Sequence, residues 1–239
     1  MQPENIDYED LKNRGFLRQK QDGFFVLRTR MTSGVYTKEA LGRLAEISQK
    51  FGKGFVHATT RQSLEIPFIK YDDIPAAEEL GKKYGIMFGT SGARLRTTTV
   101  CPGNNWCKSG LVNTFNLADR IEKELGIKCG LMLPHKFKIA ISGCPNTCTR
   151  PQATEIGIHG QIDTTCAERR VAYAVYVGGC GGRLPRTGFK LDKLYGEDEV
   201  LIIVKNVVNF FKAKAKARQR LALLIEETGK DNFLKAVLV

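Results

Sequence analysis

No stretch of about eighteen consecutive apolar residues occurs in this 239-residue chain, and a membrane-spanning helix needs a run of that length. The first residues lack the basic and apolar segments of a secretory signal peptide. Internal repeats, low-complexity segments and long linkers are absent as well. We therefore expect a cytoplasmic chain with no membrane partner, long enough to bury a core without the help of disulfides.

Acidic residues are few, because 25 Asp and Glu stand against 37 Lys and Arg and give a formal net charge of +12. Such basicity raises nucleic acid as a partner, but no helix-turn-helix, zinc finger or aromatic RNA-binding motif accompanies the charge. The basic residues from Lys212 to Arg220 predict the solvated face of a late helix. Other basic residues lie in apolar or Thr-rich segments of strand character, where an unpaired charge is costly and an acidic ligand is expected. These are Arg28, Arg30, Arg61, Arg94, Arg96, Lys136 and Lys138.

Four of the seven cysteines form two short clusters, Cys101-Pro-Gly-Asn-Asn-Trp-Cys107 and Cys144-Pro-Asn-Thr-Cys148. Four soft sulfur ligands in two tight loops are what a [4Fe-4S] cluster requires. Glycine and proline in both loops supply the turn conformations that bring two sulfurs toward neighbouring irons. We therefore predict that Cys101, Cys107, Cys144 and Cys148 are the ligands of one [4Fe-4S] cluster.

Two alternatives compete with this cluster. Structural zinc sites use cysteine pairs two to four residues apart and usually repeat the same knuckle, which C-x5-C followed by C-x3-C matches poorly. The second alternative is that the cysteines are buried or unpaired thiols without a metal. The remaining three, Cys129, Cys166 and Cys180, are expected to be small buried hydrophobes.

The order of predicted elements indicates an α+β fold. Residues 24–31 have strand character, Thr37 caps a helix that runs to Phe51, two strand candidates follow at 54–59 and 63–69, and a helix ends at Gly85. This β-α-β-β-α order is typical of a ferredoxin-like unit, which we place at residues 1–88. Residues 89–239 form a second, α/β region with a helix at 110–125, strands near 136–141, 155–158 and 171–177, and a largely helical end. We expect the two regions to pack against each other.

Several short segments together resemble the siroheme-dependent sulfite and nitrite reductases, and among them the small, single-half sulfite reductases. The segments are Leu27-Arg28-Thr-Arg30, Thr60-Arg61-Gln62, Arg94-Leu-Arg96, both cysteine motifs, Pro134-His-Lys-Phe-Lys138, Glu155-Ile-Gly-Ile158 and Gly178-Gly179. This resemblance covers most of the chain and implies two cofactors, siroheme and a [4Fe-4S] cluster. It also implies that residues 89–239 bind both, and that the Cys148 sulfur is shared between the cluster and the siroheme iron.

The resemblance gives the basic residues roles as well. Arg28, Arg96, Lys136 and Lys138 correspond to the cations that contact substrate, with Arg96 preferred over Arg94. Lys136 and Lys138 alternate with Phe137, so both ammonium groups should point to one face of a strand; a solvated edge strand is the alternative. Arg61 and Arg150 are expected to bind siroheme carboxylates; the alternative is that each forms an ordinary surface ion pair. Siroheme carries about eight carboxylates, which would offset most of the chain's positive charge.

The activity implied is the six-electron reduction of sulfite to sulfide by an oxidoreductase, with electrons from an external carrier such as an acidic ferredoxin. Nitrite reduction to ammonia is one alternative, and an electron-transfer or siroheme-binding subunit of a larger reductase is another. Full-length assimilatory members of the family contain two copies of this unit, so a homo-oligomer is a further expectation. Residues 178–182 are rich in glycine but lack the G-x-G-x-x-G pattern; they could let backbone approach the macrocycle, or form a flexible surface turn. His57 and His135 stand where arginines are common in the family, and we expect both to be structural.

Overall fold

The computed structural model describes residues 6–89, 91–126, 130–165 and 169–238. By its internal contacts the chain divides into two compact units, Met1–Gly92 and Ala93–Val239. Helices and strands occur in both units, so the fold is α+β as expected. No helix in the described part of the chain is long and apolar enough to cross a membrane.

The first unit is a four-stranded antiparallel sheet with helices. Its elements, in chain order, are α1 (Tyr8–Asn13), β1 (Phe16–Arg18), β2 (Phe24–Arg28), α2 (Lys38–Phe51), β3 (His57–Ala58), β4 (Leu64–Lys70) and α3 (Ile74–Lys83). The strands lie in the order β1-β2-β4-β3, and every pair is antiparallel.

Local sequence signals account for much of this unit. The Thr37 side chain accepts a hydrogen bond from the Ala40 amide at 3.2 Å and so caps α2 at its predicted start. Leu44 and Ile47 of α2 are buried against Leu27 and Ile66 of the two central strands in one apolar core. The strand candidate at 54–59 is shorter than expected, because only two residues of it pair with β4.

The second unit contains a five-stranded sheet. Its elements are β5 (Thr99–Val100), α4 (Thr114–Glu124), β6 (Ile139–Ser142), β7 (Ile156–Asp163), β8 (Arg170–Val177), β9 (Phe189–Lys190), α5 (Glu197–Lys214), α6 (Leu221–Thr228) and α7 (Lys230–Val237). The order is β5-β6-β7-β8-β9; the first two pairings are parallel, and the last two are antiparallel.

One face of this sheet is covered by α4 and α5. Ile139 and Ile141 of β6 and Ile158 of β7 are completely buried there, and they belong to one apolar core together with Ile121 of α4 and Phe211 of α5. Such burial fixes the register of the sheet, because a slip by one residue would turn these side chains to the opposite face. The core therefore holds the ends of β5 and β6, from which both cysteine loops emerge, in a defined position.

Candidate cofactor and anion site

The two cysteine loops begin at the same edge of the sheet. In the parallel pair β5 and β6, Val100 lies opposite Ile141, and the Cys101 amide donates to the Ile141 carbonyl at 3.1 Å. Parallel neighbouring strands end at a common edge, so the chain leaves β5 into Cys101 and leaves β6 into Cys144 side by side. The sheet brings the two cysteine pairs together although they are separate in sequence.

Glycines allow the two loops to touch. A Cβ atom on Gly143 would lie 2.6 Å from the Gly103 Cα atom, closer than side chains are found to pack, so only glycine fits there. Gly103 itself has φ +55°, in the left-handed region that glycine adopts without strain. The Leu111 amide donates to the Gly143 carbonyl at 2.8 Å and joins the end of the first loop to the start of the second.

The second cysteine loop is wound tightly. Thr147 and Arg150 both adopt left-handed backbone conformations, with φ of 50° and 54°. The Ser142 and Thr149 hydroxyls lie 2.8 Å apart and are hydrogen-bonded, and the Thr149 amide donates to the Ser142 oxygen at 3.2 Å. These bonds close a turn in which the two cysteines, Cys144 and Cys148, are separated by three residues. Non-glycine residues in the left-handed region cost free energy, which is typical of a loop shaped for a ligand.

The cysteine side chains fit a [4Fe-4S] cluster. Cys144 is buried, Cys101 is half-buried and the other two are exposed, and none of the four is in a disulfide. The Gly143 amide donates to the Cys101 sulfur at 3.0 Å, as amides do around the sulfurs of iron-sulfur clusters. Among the described residues, no three His, Cys, Asp or Glu side chains converge on one metal ion.

A two-stranded ribbon in the same unit carries four cations. Leu95 and Phe137 are both completely buried in the apolar core and are joined by a parallel bridge. The Arg96 amide donates to the Phe137 carbonyl at 2.8 Å, so the ribbon is hydrogen-bonded on both sides of this pair. Side chains alternate along extended chains, so the residues flanking the two buried ones point away from the core. These are Arg94, Arg96, Lys136 and Lys138.

His135 lies among these cations. Burial lowers its pKa, and the positive charges of Arg220, Lys136, Arg96 and Arg218 lower it further. The imidazole is therefore neutral at pH 7. Four cations acting on one side chain mark a region of concentrated positive potential, and the carboxylates of siroheme would satisfy it. The residues present thus fit both cofactors.

A buried ion pair lies under the ribbon. Glu155 is 0% exposed, and its carboxylate accepts hydrogen bonds from the Lys138 amide at 2.9 Å and from Arg220 Nε at 2.7 Å. A terminal nitrogen of Arg220 is paired with the same carboxylate, and the other donates to the Gly181 carbonyl at 3.4 Å. Glu155 therefore ties the backbone of the lysine strand to the segment between α5 and α6.

The position of Arg220 differs from the expectation that it lies on the solvated face of a late helix. Helix α5 ends at Lys214, and Arg220 lies outside any helix with only 12% of its side chain exposed. Helical spacing alone misassigned it, because its partner Glu155 is 65 residues away in sequence. The sequence signal for Glu155 is a carboxylate at the start of a strand that is otherwise apolar, where a buried charge requires a partner.

In the first unit, the predicted substrate cation Arg28 already has an acidic neighbour. Arg28 donates from Nε at 3.1 Å and from a terminal nitrogen at 2.8 Å to one oxygen of Glu65. The other oxygen contacts His57 Nδ1 at 2.9 Å, so His57 has a structural partner as expected. Arg30 is almost completely buried, with 2% of its surface exposed.

The other predicted residues are placed as follows. Arg61 lies in the turn between β3 and β4, with its amide donating to the Thr59 hydroxyl at 3.3 Å. Arg150 is exposed directly after the second cysteine loop. Cys180 is buried, as expected, whereas Cys129 and Cys166 lie outside the described residues. A Cβ on Gly179 would lie 2.2 Å from the Gln152 carbonyl oxygen, so this glycine serves a close approach within the chain itself.

Comparison with protein families gives two matches. The "Nitrite and sulphite reductase 4Fe-4S domain" matches residues 91–239, which include all four cysteines and the cationic ribbon. The "Nitrite/Sulfite reductase ferredoxin-like half domain" matches residues 17–84. The ferredoxin-like character expected of the first region is thereby confirmed.

Curated relatives carry both sulfite and nitrite reductase names. The chain is 29% identical to the coenzyme F420-dependent sulfite reductase of Methanocaldococcus jannaschii, over 93% of this chain and 44% of that protein. It is 28% identical to the nitrite reductase [NAD(P)H] of Bacillus subtilis, over 93% of this chain and 27% of that protein. It is 25% identical to the assimilatory-type sulfite reductase of Nitratidesulfovibrio vulgaris, over 94% of this chain and 97% of that protein. The chain thus spans less than half of the first two relatives and almost all of the third.

Solved structures share the fold. The Mycobacterium tuberculosis NirA protein superposes with a TM-score of 0.81 at 20% identity, over 97% of this chain and 46% of that chain. Dissimilatory sulfite reductase I superposes with a TM-score of 0.78 at 15% identity, over 90% of this chain and 69% of that chain. With both family matches and the cysteine loops in place, the chain belongs to the nitrite and sulfite reductase family, whose cofactors are siroheme and a [4Fe-4S] cluster.

Proposed function

We propose that this chain catalyses the six-electron reduction of sulfite to sulfide, with electrons from an external carrier. The observation that carries the proposal is the ribbon in which Leu95 and Phe137 are buried and the cations flanking them point away from the core. Sulfite carries more negative charge than nitrite at neutral pH, and paired lysines and arginines stabilise such an anion.

The four cysteines that would hold the cluster lie in two loops that begin at one edge of the sheet of the second unit. Cys101, Cys107, Cys144 and Cys148 would bind the cluster, and Cys148, Arg61 and Arg150 would contribute to binding siroheme. When bound, the two cofactors would relay the electrons of the external carrier and provide the metal site for the reduction.

The protein side chains would bind and protonate the substrate. Arg28, Arg96, Lys136 and Lys138 would hold the sulfite oxygens and stabilise negative charge as the sulfur–oxygen bonds break. Lysine ammonium groups can also donate a proton to each departing oxygen and regain it from solvent. The Glu155 bond to the Lys138 amide at 2.9 Å fixes the strand from which both lysines project.

An external electron donor fits the exposed part of the cluster loop. Cys107 and the neighbouring Lys108 are exposed, and Trp106 is 69% exposed. A small acidic carrier such as a ferredoxin could approach a thiolate ligand closely there and be attracted by the basic surface.

The experiment uses the whole chain, purified without oxygen from a host that makes siroheme. We expect siroheme absorption bands that shift when sulfite is added to the reduced protein, and sulfide formation with a chemical reductant. Turnover of nitrite with a higher kcat/KM than sulfite would overturn the sulfite assignment in favour of nitrite reduction to ammonia. Cofactor bands without turnover of either anion would favour an electron-transfer subunit.

Lys138→Asn tests the substrate assignment directly. We expect the kcat/KM for sulfite to fall by about 100-fold, with a smaller fall for nitrite, because removing a donor aimed at developing charge costs about 3 kcal/mol. Lys212→Asn removes an exposed lysine from α5 and is the matched control, expected to leave both values unchanged. An unchanged preference for sulfite in Lys138→Asn would contradict the role given to this lysine.

A further inference from the structure

The second unit contains a basic cavity beside the ribbon. Its volume is about 370 Å³, and it opens between the glycine-rich segment after β8 and the start of α6. Four of its lining residues are cations, and none of those described is acidic. The cations are Lys136, Arg183, Arg186 and Arg220.

One of these cations is fixed in the cavity wall by hydrogen bonds, and a second stands beside a buried residue of the ribbon. Lys136 stands beside the buried Phe137 on the ribbon. Arg220 is clamped between the Glu155 carboxylate at 2.7 Å and the Gly181 carbonyl at 3.4 Å. A guanidinium has five N–H donors in its plane, more than these two partners take up, so Arg220 retains donors for a ligand.

The cavity wall carries more positive charge than the neighbouring carboxylates neutralise. Glu155 pairs with Arg220 from behind, and Glu226 pairs with Arg186 at 2.9 Å. Lys136 and Arg183 have no carboxylate partner among the described residues. A cavity with this excess of fixed cations attracts an anion, because it raises the local concentration of negative charge.

The loop that closes the cavity is itself ordered by backbone bonds. Cys180 and Arg186 exchange two amide–carbonyl hydrogen bonds, of 2.8 and 2.9 Å, so the five residues between them form a closed hairpin loop. Arg183 stands in this loop, and its side chain lines the cavity. Leu184, Ala222 and Leu223 add apolar surface beside the cations.

We infer that this cavity is a binding site for a carboxylate or a similar oxyanion, in which Arg183 closes over a ligand that Arg220 and Lys136 hold from below. Guanidinium groups bind carboxylates and other oxyanions through paired hydrogen bonds, which suits Arg183 and Arg220. The ligand has two sources in this protein, the carboxylates at the edge of siroheme and free sulfite on its way to the iron. Because Lys136 is shared with the substrate site, the inference rests on the proposed function.

The first experiment measures the binding of sulfate, an inert oxyanion, to the cofactor-free chain by titration calorimetry. We expect Arg183→Ala to weaken sulfate binding about tenfold, equivalent to about 1.4 kcal/mol, and Arg183→Lys to retain part of it. Arg169→Ala removes an exposed arginine that does not line the cavity and is the matched control. This readout needs neither cofactor nor turnover, so it can succeed even if the chain does not reduce sulfite.

The second measurement separates the two sources. If the ligand is a siroheme carboxylate, Arg183→Ala purified from the siroheme-producing host loses siroheme several-fold faster during dialysis than Arg169→Ala does. If the ligand is free sulfite, Arg183→Ala keeps its siroheme, and the sulfite concentration that half-shifts its bands rises several-fold. The inference is overturned if Arg183→Ala matches Arg169→Ala in sulfate binding, siroheme loss and sulfite affinity.

Discussion

Glu65 in the first unit and Glu155 in the second are each hydrogen-bonded to an arginine, yet the pKa of the first is lowered and that of the second is raised. Burial raises the pKa of both, but Glu65 keeps 15% of its side chain exposed and receives bonds from Arg28 and His57 that outweigh the loss of water. Glu155 has no exposed surface, and its loss of water outweighs the bonds from Arg220 and the Lys138 amide. The same pair of residue types is therefore a partly solvated ion pair in one unit and a costly buried one in the other.

The largest effect is expected from removing one partner of the buried pair. Glu155→Ala would leave the Arg220 charge in a poorly solvated position and free the Lys138 amide, at a cost of about 3–5 kcal/mol in the free energy of unfolding. Urea denaturation of the cofactor-free chain measures this. A cost below 1 kcal/mol would mean that water reaches Arg220 easily.

Replacing both partners tests whether the cost comes from the orphaned charge. Glu155→Leu combined with Arg220→Met keeps apolar volume and removes both charges, so we expect it to be more stable than Glu155→Ala by about 2 kcal/mol or more. Equal instability of the double variant would locate the cost in the lost bond to the strand backbone instead.

A smaller effect is expected in the first unit. Arg28→Ala leaves Glu65 with His57 and with access to water, so the expected loss is about 1 kcal/mol in the same denaturation experiment. Arg18→Ala, which removes an exposed arginine paired at 3.5 Å with Asp22, is the control and should change stability by less. A loss for Arg28→Ala as large as that for Glu155→Ala would remove the contrast between the two pairs.

The two carboxylates should also respond oppositely to pH. A lowered pKa in the folded state means that Glu65 stabilises above its ordinary pKa of 4.5 and loses this effect as pH falls. A raised pKa means that Glu155 favours the folded state at low pH and that this contribution is lost as pH rises through its folded pKa. As the pH rises from about 4 to about 6, the free energy of unfolding that the variant loses relative to wild type should therefore grow for Glu65→Gln and shrink for Glu155→Gln. If this difference changed with pH in the same direction for both variants, one of the two pKa shifts would have the wrong sign.

The smallest effect concerns His135. Its lowered pKa makes the unfolded chain bind the proton more readily, so its contribution to stability is present above pH 6.5 and is lost as pH falls below that value. Proton NMR of the three histidines, with His135→Asn for assignment, should give it a midpoint below 6.5. Sulfate should raise that midpoint, because an anion beside the cations offsets their charge. A midpoint at or above 6.5 without added anion would contradict the cationic cluster.

Local sequence signals predicted a good part of both units. The Thr37 cap and the helix to Phe51 follow from residues that interact within one turn or one helix face, and they lie where expected. The strand before the second cysteine loop was also placed correctly in outline, although it is regular only over Ile139–Ser142. The ribbon residues before it pair with the 94–96 segment instead. That pairing joins residues about forty positions apart and has no local signature.

The sequence by itself determined which chemical groups are present: four thiols in two tight loops, and cations alternating with apolar residues that must be buried. Only the tertiary structure decided that the loops start at one sheet edge, that Arg220 is buried beside Glu155, and that the charges of four cations lower the pKa of His135. The physical reason is that residue type fixes charge, ligand softness and local backbone preference, whereas burial and partners depend on contacts between distant segments. Those contacts reversed the expectation for Arg220, and they set the opposite pKa shifts of the two glutamates.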